Sequence, residues 1–94
     1  MSLAGQRSVL TGAEKKVVRL VSLGCTSKQA GAILGLSPYT IDNHRARAMK
    51  SLGVRTAAAL TRRALQLGIT SLDDRLTEDE AARLRQRAEP HCKK

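Results

Sequence analysis

The chain is 94 residues long, room for one small domain whose core buries only about 60% of the unfolded surface, so deep catalytic cavities are disfavoured. It has no Phe, no Trp and one tyrosine, Tyr39, and an interior of Leu, Val, Ile and Ala favours interlocking helices over a sheet. Residues 1–69 carry 11 Lys and Arg against only Glu14 and Asp42, whereas residues 70–94 carry six of each sign; such one-signed charge opposes compaction, so a polyanionic partner explains it better than a generic solubilising surface.

Residues 1–9 read as a leader or linker, and Met1-Ser2-Leu3 is set aside from the fold. Thr11-Gly12-Ala13-Glu14 is a capping box that opens a first helix, with Val17, Val18, Leu20 and Val21 behind it and Gly24 closing. Thr26 or Ser27 caps a short second helix carrying Ala30, Ile33 and Leu34, and Gly35 is its left-handed stop. Ser37 then Pro38, a side-chain cap followed by a residue preset for the first helical position, starts the longest helix, which runs to Leu52 before Gly53. A fourth helix spans Thr56 to Leu67, with Gly68 after it. In the tail, 70–94, the box Leu76-Thr77-Glu78-Asp79-Glu80 predicts a short helix over about 77–88, striped by Ala81, Leu84 and Ala88 and stopped before Pro90. A helix this short is marginal alone, so it has to dock or fray.

Two helices joined by a short glycine-containing turn describe a helix-turn-helix. The runs Leu10-Thr11-Gly12-Ala13-Glu14, Leu23-Gly24-Cys25-Thr26-Ser27-Lys28-Gln29-Ala30, Leu34-Gly35-Leu36-Ser37-Pro38-Tyr39-Thr40-Ile41-Asp42-Asn43-His44-Arg45 and Leu52-Gly53-Val54-Arg55-Thr56 resemble the LuxR-type (FixJ or GerE type) DNA-binding domain of bacterial transcription regulators. The resemblance covers about residues 10–69. It implies an all-α, four-helix helix-turn-helix domain, to which this chain adds a short C-terminal helix. It also implies binding to double-stranded DNA, the role of a response-regulator output domain, and a homodimer formed through the fourth helix. Glu14, Gly24, Lys28, Ser37, Pro38, Thr40, Asn43, His44, Gly53, Val54 and Thr56 fall on the family pattern. Ala13 replaces the usual Arg, Val18 a Leu and Ala30-Gly31 a common Ile-Ala, Ile33 takes an often polar position, and Asp42 stands where many relatives place a DNA-contacting Lys.

A count of 100° per residue puts Ile41, Arg45, Ala48, Met49 and Leu52 on one side of the third helix and Tyr39, Asn43, Ala46, Arg47 and Lys50 on the other. The second side is the one expected in the major groove. Early residues of a recognition helix reach base edges and later ones meet the backbone, so Tyr39 and Asn43 are the expected base readers, Asn43 through an adenine edge. Arg47, Lys50, Thr40 and Lys28 are expected at phosphates, with Arg55 joining from the loop, and Ala46 lets the helix sit close. An ordinary solvated face is the plainer alternative for these side chains. Asp42, on the shoulder, has three readings: a base contact accepting from a cytosine amino group, a carboxylate that discourages non-specific binding, or a partner of Arg45 three positions on.

Arg45 falls within the apolar stripe, where a charge needs a partner or an exit. A Glu14–Arg45 ion pair would clamp the first helix to the third; otherwise Arg45 buries its stem and carries its charge to water. The fourth helix has two apolar sides, Ala57, Leu60, Ala64 and Leu67 on one and Ala58, Thr61 and Leu65 on the other. One core covers one side, so Ala58, Thr61 and Leu65 are the expected dimer interface. Asp73, Asp74, Glu78, Asp79 and Glu80 either favour the start of the tail helix, with Asp79 pairing Arg83, or compete with DNA phosphate.

Cys25 and Cys92, in a chain without a secretory signal, are expected to be reduced and unpaired. With His44 and His91 they lack the short paired spacings of a zinc site. No phosphate loop, paired carboxylates or activated nucleophile is present, so no catalytic residue, cofactor or metal is expected. No apolar run nears the roughly 20 residues of a bilayer span, which points to the cytoplasm. The expected function is sequence-specific duplex-DNA binding by a regulator, with helix 37–52 in the major groove and RNA polymerase as a further partner. The alternative is a protein-interaction module that meets polymerase or a partner regulator through helix 56–67 and the tail; RNA binding suits the charge but not the lack of stacking aromatics.

Overall fold

The structure, a computed structural model, describes residues 10–92, with side chains through residue 86; the leader 1–9 and the side chains of Ala88, His91 and Cys92 lie outside the described residues. These residues form five α-helices and no strand: α1 (Gly12–Ser22), α2 (Ser27–Leu34), α3 (Pro38–Leu52), α4 (Ala57–Leu67) and α5 (Glu78–Cys92). Each start is a local side-chain decision. The Thr11 hydroxyl accepts from the Glu14 amide and Glu14 Oε1 accepts from the Thr11 amide, both at 3.1 Å. Thr26, not Ser27, caps α2, in a second box with Gln29, while Ser37 and Thr56 cap α3 and α4. Thr77 and Glu80 form the same reciprocal pair before α5, at 3.1 and 2.9 Å. That last helix runs past Pro90 to Cys92, longer than its apolar stripe predicts. A proline removes one amide donor, and near a helix end few backbone bonds remain for it to break.

The apolar faces of α1 to α4 converge on one core: Val17, Val18 and Leu20, Ala30 and Ile33, Ile41 and Ala48, and Leu60 and Ala64, each at most 1% exposed. Helix α1 lies across α3 and α4, whereas α2 packs on α3 and α5 and touches α1 sparingly. Leu76 and Leu84 pack the tail against the rim of the core. On α4 the core-side reading fails at the ends, because Ala57 and Leu67 are exposed. They are the first and last residues of the helix, and only its middle is covered by the body. Cys25 is a free, half-buried thiol; burial first, and the charge of Glu80 second, push its pKa up.

Candidate nucleic-acid interface

The turn between α2 and α3 is set by two glycines. Gly35 ends α2 with φ 74°, a left-handed conformation that costs other residues about 1–2 kcal/mol. Gly31 is buried, and a β-carbon there would collide with the carbonyl oxygen of Leu36, so bare backbone lets the turn wind onto α2. The Ser37 hydroxyl then accepts from the Thr40 amide at 3.1 Å and lies 3.0 Å from the Thr40 hydroxyl. With its N-terminus fixed in this way, α3 buries Ile41 and Ala48 and half-buries Met49 and Leu52. Tyr39, Asn43, Ala46, Arg47 and Lys50 are exposed on the opposite side, Tyr39 at 75%. Lys28 and Arg55 are exposed as well, and Thr40 is half-buried.

One expected carboxylate role comes out differently, and Asp42 meets one of its three readings, the partner of Arg45. Glu14 and Arg45 form no ion pair: the capping box commits the Glu14 carboxylate to the start of α1, where the side chain is buried. Arg45 is instead half-buried, with 39% of its side chain in solvent and NH2 3.9 Å from Asp42 Oδ1. The same Asp42 oxygen accepts a hydrogen bond from the Ser27 hydroxyl at the first position of α2. In the free chain Asp42 thus bridges the two helices of the helix-turn-helix while remaining more than half exposed. The bond from Ser27 carried no signal in the sequence, since both residues are short and polar and lie 15 positions apart.

On α4, Ala58 is exposed and Thr61 and Leu65 are half-buried. The Thr61 hydroxyl donates to the Ala57 carbonyl at 3.0 Å, satisfying itself within its own helix.

The largest polar feature outside this face involves Arg19, which sequence reasoning passed over. Its Nε and NH2 donate to the two oxygens of Asp74 at 2.9 and 3.2 Å, NH1 donates to Glu80 at 2.8 Å, and NH2 also donates to the Arg75 carbonyl at 2.8 Å. The hydrogen bonds to Asp74 first, and to Glu80 second, raise the guanidinium pKa further. Burial pushes the Glu80 carboxyl up, yet the bonds from Arg19 and Thr77 outweigh it and leave the pKa below its ordinary value. Asp74 and Glu80 are among the tail acids, and Asp79 lies 3.3 Å from Arg83 as the spacing suggested.

A helix-turn-helix whose second helix turns a polar, cationic side outward is the architecture of a regulator that recognises a polyanion. Residues 8–64 match the family described as bacterial regulatory proteins, luxR family. The chain belongs to that family. It is similar to the transcriptional regulatory protein UhpA of Escherichia coli, 40% identical over 60 residues, 64% of this chain and 31% of UhpA. It is also similar to the transcriptional regulatory protein MctR of Rhizobium johnstonii, 37% identical over 62 residues, 66% of this chain and 29% of MctR. The response regulatory protein YgeK of Escherichia coli is 33% identical over 63 residues, 67% of this chain and 43% of YgeK. The chain thus matches less than half the length of each of these relatives. No solved structure matches it. Among the described residues no helix is long and apolar enough to cross a membrane.

Proposed function

We propose that the chain binds double-stranded DNA in the cytoplasm as the output domain of a bacterial transcription regulator. Helix α3 enters the major groove, and a homodimer forms across Ala58, Thr61 and Leu65. The observation that carries this reading is the single exposed side of α3, where Tyr39 and Asn43 precede Arg47 and Lys50. Tyr39 and Asn43 then meet base edges, and Arg47 and Lys50, with Thr40, Lys28 and Arg55, meet phosphates. Asp42 is the third base contact in this reading. A cytosine amino group meets its Oδ2, since Oδ1 accepts from the Ser27 hydroxyl. RNA polymerase is a further partner of the DNA-bound dimer. Selection of bound sequences from a random duplex library tests the reading: a consensus of two related half-sites supports it, and recovery of no duplex above background contradicts it.

A further inference from the structure

Beside the packing of Leu76 and Leu84, arginine hydrogen bonds tie the tail to the body at two points on two different helices. At the first, Arg19 of α1 commits four of the five N–H donors that an arginine has to Asp74, Arg75 and Glu80. With two carboxylates on it, this cation is withdrawn from any phosphate. At the second, Arg83 NH1 donates to the Ile33 carbonyl at 3.0 Å, one of the last four carbonyls that α2 leaves unpaired. Helix α5 therefore spans from α1 to the turn end of α2, across the seam where those two helices touch only sparingly.

That seam matters because α2 presents Lys28 at one end and the Gly31–Leu36 close approach at the other. We propose that Arg19 and Arg83 are positioning residues for DNA binding, a role that rests on the DNA-binding reading above. Through α5 they hold α2 at the angle to α1 and α3 that brings Lys28 and Asn43 onto the same duplex together. Fork-shaped guanidinium contacts suit the task, since they fix direction as well as distance. Asp74 and Glu80 then act on the protein's own arginine and not against phosphate.

The test uses the full chain, a duplex selected by that chain from a random pool, and a scrambled duplex of the same composition. Arg19→Ala breaks the clamp from α1. Asp74→Asn combined with Glu80→Gln breaks it from the tail while leaving α1 untouched, and this second variant decides the matter if the first does not fold. Hydrogen exchange should show α5 losing protection while α1, α3 and α4 keep theirs. Affinity for the selected duplex should fall roughly fivefold or more, the lower end of ordinary coupling between sites, with the scrambled duplex changed less than about twofold. Arg83→Met, which keeps the apolar stem, should act in the same direction. Release of α5 with both affinities unchanged, or with equal losses on both duplexes, overturns the proposal. A gain on both duplexes that fades with salt overturns it too, and assigns the acids to competition with phosphate. If the unaltered chain selects no duplex at all, the DNA-binding reading fails and takes the positioning role with it; unchanged binding after release of α5 sinks the positioning role alone.

Discussion

Asp74 lies 55 positions beyond Arg19 in the chain, yet its two carboxylate oxygens take the Nε and NH2 groups of that arginine at 2.9 and 3.2 Å. The Thr70 hydroxyl donates to Asp74 as well, at 2.7 Å. Arg19 first and Thr70 second hold the Asp74 carboxyl at a pKa of about 2, against ~3.9 for a free aspartate. Because the folded value is the lower one, the carboxylate stabilises the docked tail above pH ~4, and that contribution disappears as the pH falls from ~4 through ~2.

Amide protection across 78–86 should accordingly be level from pH 8 to pH 5 and drop in that acid window, with Asp74→Asn keeping only the part of the step that belongs to Glu80, whose carboxyl Arg19 also holds below its ordinary value. Loosening of α5 near pH 6 in the unaltered chain would mean that another group governs docking.

The two leucines of α4 should separate in a denaturant titration. Leu60 is fully buried, so Leu60→Ala should cost about 2–5 kcal/mol. Leu67 is 44% exposed, and Leu67→Ala should stay within about 0.5 kcal/mol, as surface changes do. Similar costs at both sites would contradict the packing of α4 on α1.

Ala58 gives the cleanest test of the proposed dimer, being exposed on α4. Ala58→Glu should leave the melting temperature unchanged while shifting sedimentation on DNA from two protomers to one. Persistence of the two-protomer complex would move the interface elsewhere.

Legibility in the sequence followed distance along the chain. The caps at Thr11, Ser37 and Thr77 each rest on a partner three positions on, so a short motif contains the whole interaction. The two faces of α3 were readable for the same reason, since helical period alone separates Ile41 from Asn43. The Arg19 clamp joins residues 55 and 61 positions apart, and nothing near Arg19 announces it. Glu14 was legible twice, as a capping-box member and as a cross-helix partner for Arg45; the local bond won because forming it orders so little chain. The ends of α4 were misread because periodicity marks a face but not how much of its length the body covers.

The central claim, that the outer side of α3 reads duplex DNA, is tested most directly by equilibrium binding across a salt series on selected and scrambled duplexes with Asn43→Ala and Lys50→Ala. With four or five phosphate contacts per domain, log affinity should fall against log salt with a slope of roughly −4, near −0.9 per contact. Lys50→Ala should weaken both duplexes alike and flatten the slope by about one contact. Asn43→Ala should cost about 1–3 kcal/mol on the selected duplex and little on the scrambled one, with the slope unchanged. Equal losses on both duplexes for Asn43→Ala would contradict its assignment as a base reader, and with it the placement of α3 in the groove.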